Sequence, residues 1–320
     1  MNFIDAATVG AALGYPKLVD VLDEAFRRGA ISPPRHHHTV KLDGRPDATF
    51  LLMPAWTSSA AGAETAGKYM GVKSVTVFPD NARLGKPAIY GVYLLLSTET
   101  GEPLALMDAT SLTVWRTAAA SAMASRYLAR EDATRMVMVG AGALAPYLVR
   151  AHASVRPIRE VAIWNRSPDR AQAVVDGLSD SGLAVSVATD LEAAVRQADL
   201  VSSATITSTP LIHGAWLKPG THVDCVGAYR PDMRETDDDV VRRARIWVDT
   251  MAGGLHEAGD VVIPLKAGVI READIQGDLF ALARGEAPLR TSADEITMFK
   301  SVGASIEDLA AAVAVYESAQ

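Results

Sequence analysis

Cysteine is nearly absent from this chain. Cys225 is the single thiol in 320 residues, so no disulfide framework exists and a reducing setting, the cytoplasm, is expected. Excess positive charge is missing as well. The net charge of −7 argues against a nucleic-acid binder, which would carry a basic face. Long apolar runs are missing too: the apolar stretches are short and broken by charge, so no membrane span is expected. The opening residues Met1-Asn2-Phe3-Ile4-Asp5 show no basic segment followed by an apolar run, so no secretory leader is readable. What is present is 49% hydrophobic content over a length that accommodates two compact domains, as in a soluble α/β protein.

The most informative stretch is Met136-Val137-Met138-Val139-Gly140-Ala141-Gly142-Ala143-Leu144-Ala145. Four apolar residues run into a glycine-rich turn, and an apolar helical pattern follows. A buried parallel strand delivers a backbone loop to the pyrophosphate of a dinucleotide in this way. Gly140 permits the tight turn, Gly142 lets backbone approach the phosphates, and Ala145 keeps the helix close to the sheet. Pro146 falls in the first helical turn, where a missing N–H costs little. The helix N-terminus supplies free N–H groups and the positive end of a dipole.

Upstream, Leu18, Val19, Val21, Leu22, Ala25 and Phe26 mark an amphipathic helix, ended by Arg27, Arg28 and the breaker Ile31-Ser32-Pro33-Pro34. Strands are expected over Arg35 to Leu42, Thr49 to Pro54, Lys68 to Phe78, Ala88 to Leu96 and Leu104 to Met107. No helices separate them, so they form an antiparallel meander in a different domain from the glycine loop. Within it, Lys73 alone reads as a solvent-facing lysine of an alternating strand. His36, His37 and His38 would point to alternate faces of a strand, so they do not form a facial metal cluster, and no metal is expected. Arg35 is the more useful residue there, as an anion partner.

Asp108-Ala109-Thr110-Ser111 offers N-caps for a helix to about Arg130. Its Arg116 can clamp a carboxylate or phosphate bidentately, or be an ordinary surface arginine. After the glycine loop, Glu160-Val161-Ala162-Ile163-Trp164 is the second parallel strand. An NAD site places an acidic residue at its end, on the ribose 2′-hydroxyl. Here Asn165, Arg166 and Ser167 stand instead, offering donors and a positive charge to a 2′-phosphate. NADP(H) is therefore expected, with NAD(H) the weaker choice. Strands near 184–187, 199–205, 222–227 and 246–249 alternate with helices, the pattern of a doubly wound parallel sheet. Thr205 and Ile206 after one strand, and Gly227 after the next, face its crevice. Asp232 follows, a carboxylate placed for proton transfer or a plain loop aspartate. A strand and turn at 295–303 and a helix from Ile306 to Tyr316 are expected to return to the first domain.

Together these pieces resemble the ornithine cyclodeaminase/mu-crystallin family over nearly the whole chain. The resemblance is carried by Gly71-Val72-Lys73-Ser74-Val75-Thr76-Val77-Phe78-Pro79, Arg116-Thr117-Ala118-Ala119-Ala120-Ser121, Gly140-Ala141-Gly142, Arg230-Pro231-Asp232-Met233-Arg234-Glu235 and Phe299-Lys300-Ser301-Val302-Gly303. It implies a Rossmann domain over 113–293 and an α+β domain over 1–112, completed by 294–320, that dimerises through its antiparallel sheet. It implies that Arg35, Lys73 and Arg116 bind a substrate α-carboxylate, which reverses the solvent-facing reading of Lys73. Asp232 would be the acid/base residue, and Ser301 and Val302 would lie close to the nicotinamide. The cofactor would rest on Gly140, Gly142, Ala143, Leu144, Asn165, Arg166, Ser167, Thr205, Ile206 and Gly227.

Within the family, cyclodeaminases carry an acid at the second strand's end. The segment Trp164-Asn165-Arg166-Ser167 is similar instead to the NADPH-binding, ketimine-reducing branch, and Ala88 departs from the cyclodeaminase threonine. The expected activity is NADPH-dependent reduction of Δ1-pyrroline-2-carboxylate and Δ1-piperideine-2-carboxylate to proline and pipecolate. The alternatives are ornithine cyclodeamination or an alanine-type dehydrogenase, and, from another class, a non-catalytic nucleotide-binding protein.

Overall fold

The computed structural model describes residues 1–57 and 67–320. The chain divides into two compact units, Met1–Arg116 with Ala304–Gln320, and Thr117–Gly303.

The first unit contains β1 (Asn2–Ile4), α1 (Ala6–Ala12), α2 (Lys17–Arg28), β2 (His36–Val40), β3 (Ala48–Trp56), β4 (Tyr69–Val77), β5 (Ile89–Ser97), β6 (Pro103–Asp108) and the start of α3 (Ala109–Leu128). Its sheet has the order β1-β6-β5-β4-β3-β2. The expected meander is present from β2 to β6, and β1 adds a parallel edge to β6. Alternation decides which side is covered. Leu51, Met53, Ala55, Gly71, Lys73, Val75, Tyr93 and Leu95 are buried on one face. There α2 and the closing helix Ser305–Ser318 pack, burying Leu18, Val19, Leu22 and Phe26 from the former and Ile306, Leu309, Ala312 and Val315 from the latter. The other face holds Phe50, Leu52, Val72 and Leu94 half-buried and Phe3, Tyr90 and Val92 exposed. β2 is exposed throughout, with His36 and His38 edge to face at 6.3 Å. The helix α3 starts as expected, its first turn capped by Asp108, which accepts from the Ser111 amide at 2.6 Å.

The second unit runs through β7 (Arg135–Val139), α4 (Ala145–Val155), β8 (Glu160–Trp164), α5 (Pro168–Asp176), β9 (Ala184–Val187), α6 (Leu191–Gln197), β10 (Leu200–Ser203) and β11 (His222–Cys225). It continues through α7 (Asp238–Arg243), β12 (Ala244–Val248), α8 (Met251–His256), α9 (Gly259–Lys266), β13 (Ile275–Asp278), α10 (Leu279–Arg284) and β14 (Ile296–Lys300). The sheet order is β13-β12-β14-β11-β10-β7-β8-β9, and every neighbouring pair is parallel. Between β10 and β11 a 3₁₀ turn, Gly214–Trp216, replaces the helix that regular alternation would supply. The chain winds one way from β7 to β9 and the other way from β10 to β13, before β14 inserts between β11 and β12. The reversal therefore lies between β7 and β10, where an open α/β sheet opens a ligand crevice.

One boundary differs from expectation. The strand at 296–300 is an interior member of the parallel sheet, paired with β11 and β12. The tail that completes the first unit begins at Ala304 rather than at 294. All five β14 residues are buried, Lys300 included, and that burial ties the strand to this sheet.

Candidate functional site

The first unit gathers buried charge. Lys73, on the helix-covered face of β4, is 2% exposed, and Arg116 of α3 is 5% exposed; neither is a surface residue. The Lys73 Nζ donates to Asp308 Oδ1 at 2.8 Å and lies 2.8 Å from the other carboxylate oxygen. Arg116 donates from Nη1 to Glu307 Oε2 at 2.6 Å, and its Nε is ion-paired with Asp308 Oδ1 at 2.8 Å. Both acids come from the first turn of the closing helix. Burial, and next the Arg116 charge, pull the Lys73 pKa down to about 8, against the pull of Asp308. Arg35, half-buried just before β2, lowers it further by its own charge. The three cations expected to hold a carboxylate thus feel one another within a single unit. Tyr93 stands opposite Lys73 in the ladder, and burial, with Asp308 next, pushes its phenol up. A Cβ on Gly71 would come within 2.4 Å of the Tyr93 hydroxyl, so this position of β4 has to be glycine.

The second unit builds the glycine crevice. Gly140 has φ +105°, and a Cβ there would meet the Ala204 carbonyl at 2.8 Å. The loops after β7 and β10 are therefore in close approach. Its amide donates to the Trp164 carbonyl at 2.8 Å, tying the turn to the end of β8. At Gly142 a Cβ would meet nothing within 4 Å. Ala143 and Leu144 complete the turn, and α4 begins at Ala145 with Pro146 in its first turn. Its leading amides have no acceptors inside the helix. The open space at Gly142, just before them, suits a diphosphate, so the residues fit a dinucleotide. At the end of β8, Asn165 donates to the Ser167 carbonyl at 3.1 Å and Arg166 is exposed.

Thr205 is half-buried after β10, and Ile206 beside it is 75% exposed. Gly227, after β11, is packed so tightly that a Cβ would lie 2.1 Å from the Thr205 N and O. Ser301 and Val302 hang on the buried Asp249. Its Oδ2 accepts from the Ser301 hydroxyl at 3.0 Å and from the Val302 and Gly303 amides at 2.7 Å. Asp232 is exposed, with both oxygens engaged by Arg230 at 2.9 and 2.7 Å.

Sequence reasoning assigned no role to Glu307, Asp308, Asp249, Glu235, Asp260 or Lys300. Asp249, Glu235 and Lys300 occur in quoted strands and motifs, but burial of a charge is invisible without the fold. One arrangement imitates a catalytic triad. Ser125 bonds His152 Nδ1 at 2.9 Å, and His152 Nε2 lies 3.1 Å from Asp224 Oδ2. All three are 0% exposed, so no substrate reaches them and they satisfy one another inside the unit. No helix of the described residues is long and apolar enough to cross a membrane.

Known proteins are similar to this chain over most of their length. A Δ(1)-pyrroline-2-carboxylate reductase of Colwellia psychrerythraea is 37% identical over 99% of this chain and 99% of its own. One of the same name from Paracoccus denitrificans is 40% identical over 89% of this chain and 88% of its own. Among solved structures, the Thermococcus litoralis Δ(1)-pyrroline-2-carboxylate reductase, in complex with NADH and L-proline, has a TM-score of 0.91. It is 31% identical, with 100% of this chain and 97% of that chain covered. An archaeal alanine dehydrogenase dimer with bound NAD follows at 0.89, with 30% identity and coverage of 100% and 96%. The ornithine cyclodeaminase/mu-crystallin family model matches residues 2–320, and the chain belongs to that family.

Proposed function

We propose that this protein reduces cyclic ketimines bearing a 2-carboxylate, Δ1-pyrroline-2-carboxylate and Δ1-piperideine-2-carboxylate, at the expense of NADPH. The observation that carries the reading is the buried Lys73–Arg116 pair with Arg35 beside it. Three cations on one unit are a receptor for a small carboxylate. Relatives that carry the reductase name over nearly the whole chain support it.

When bound, the reduced nicotinamide supplies the hydride. Lys73, Arg116 and Arg35 fix the carboxylate and with it the ring orientation; such positioning lowers barriers by roughly 7–11 kcal/mol at best. Asp232 protonates, or holds protonated, the imine nitrogen, a role on the order of 10²–10⁴-fold in rate. In the free protein its Arg230 pair keeps the carboxylate on a defined loop, and substrate must draw it away from that partner. Gly140, Gly142, Ala143 and Leu144 hold the diphosphate, and Arg166 with Asn165 and Ser167 holds the 2′-phosphate. Thr205, Ile206, Gly227, Ser301 and Val302 line the nicotinamide end. The NADPH preference rests on the side chains after β8, where no acid is present to hold a 2′-hydroxyl.

The protein works as a homodimer joined through the open sheet face, where Phe3, Tyr90 and Val92 are exposed. A contiguous apolar face of this kind marks an interaction surface. The similarity to an alanine dehydrogenase dimer with NAD keeps a second reading, oxidative deamination of an amino acid, in view. Purified protein is tested for NADPH oxidation with each cyclic imine, then for NAD reduction with L-alanine and ammonia release from L-ornithine. Turnover of neither imine overturns the reductase reading, and turnover of an amino acid alone replaces it.

A further inference from the structure

We propose that Glu235, a residue assigned no contact with substrate or cofactor, positions the nicotinamide end of the dinucleotide crevice by holding the loops after β10 and β11 in register. The inference rests on the dinucleotide-binding reading above and adds a determinant to it. Glu235 is 0% exposed. Its Oε1 accepts from the Ser203 hydroxyl at 2.6 Å, the Thr205 amide at 2.7 Å and the Thr205 hydroxyl at 2.9 Å. Its Oε2 accepts from the Gly227 amide at 2.8 Å, the Ala228 amide at 3.2 Å and Lys300 Nζ at 3.5 Å.

Every hydrogen bond to this side chain is donated to it. Only a carboxylate satisfies both sets, because an amide of the same shape would turn its NH₂ against one loop or the other. The anchor beneath is equally defined. Asp260 Oδ1 accepts from the amides of Glu235 and Thr236 and from the Thr236 hydroxyl, each at 2.8 Å. The other Asp260 oxygen lies 3.0 Å from Lys300 Nζ, and Ser301 is the next residue along. Gly227 and Thr205 approach too closely for any Cβ at position 227. Displacing one loop therefore displaces the other, and Glu235 bonds to both.

The test separates the two ends of the cofactor. Affinity is measured for the dinucleotide that wild type prefers, by reduced-nicotinamide fluorescence, and for its adenine half, 2′,5′-ADP or 5′-ADP, by calorimetry. Glu235→Gln is expected to weaken the whole dinucleotide about tenfold, since it strands buried donors, and to leave the adenine half within about twofold. Ser203→Ala removes one donor from the same oxygen without touching a loop that faces cofactor. It should shift the dinucleotide about threefold in the same direction. Unchanged dinucleotide affinity, or equal loss of both ligands with wild-type circular dichroism, overturns the positioning role. If Glu235→Gln does not fold, unchanged affinity in Ser203→Ala overturns it alone. Wild type that binds neither NADPH nor NADH overturns the nucleotide reading itself, which is a different result.

Discussion

Asp308 serves two cations at once: its carboxylate lies 2.8 Å from Lys73 Nζ and 2.8 Å from Arg116 Nε. With Glu307 on the far end of Arg116, two buried positive charges meet two buried negative ones. Asp308→Asn leaves two buried cations short of one counter-charge. Breaking a buried pair from one side costs about 3–5 kcal/mol. Urea unfolding of the variant should show a lower midpoint with an unchanged slope, and an unchanged midpoint would refute the argument.

The protonation of Lys73 has opposite consequences for activity and stability. Burial first and Arg116 second set its pKa at about 8, and carboxylate capture needs the charged form. For a ketimine carboxylate, kcat/KM reports free-enzyme ionisations, so it should fall above about pH 8, approaching tenfold per unit. Stability moves the other way. The folded pKa is below the ordinary lysine value of 10.5, so the unfolded chain binds more protons between those values and folding is favoured as pH rises through that window. A pH–rate profile that is flat to pH 9.5 removes Lys73 from the clamp.

His222 should limit stability in acid. It is fully buried, bonded through Nδ1 to the Thr297 hydroxyl at 2.9 Å, and burial drives its pKa from 6.5 to about 3. The unfolded chain takes up this proton first as pH falls. Stability from this group is present above pH 6.5 and drains away toward pH 3, by at most about 1.4 kcal/mol per unit. His222→Asn, measured by thermal melts at pH 7 and pH 5, should lose less over that interval than wild type. Parallel curves would reject the assignment.

Arg166 should separate the two cofactors. Arg166→Ala is expected to raise the Michaelis constant for NADPH by about tenfold or more, the scale of a lost charge-assisted phosphate contact, with little change for NADH. Equal effects on both cofactors would defeat the 2′-phosphate role.

What could be read without the fold was periodic or punctuated. The run before Gly140, the five-strand meander and the amphipathic α2 each announce themselves through apolar spacing and breakers. β1 and α1 are not legible in the sequence, because three and seven residues are too few to display a period. Strand 296–300 is legible as a strand but its unit is not, since periodicity finds a strand and says nothing of its neighbours. The site divided in the same manner. Lys73 looked solvent-facing until its family resemblance, and then its burial, turned it inward. Glu307 and Asp308 look like ordinary first-turn acids, favourable to a helix dipole. Only the return of the closing helix to β4 makes them counter-ions.

The position of β14 also bears on how the molecule comes to be folded. The strand pairs with β11 on one side and β12 on the other, so the parallel sheet stays in two pieces until residue 300 is in place. The helix that supplies Asp308 to Lys73 follows directly. Neither unit can be completed during synthesis of its earlier segments, and both close on the same last stretch of chain. Such long-range closure slows folding and leaves unpaired strands exposed meanwhile. A nascent chain halted before β14 is thus a better client for a chaperone than a domain folded early.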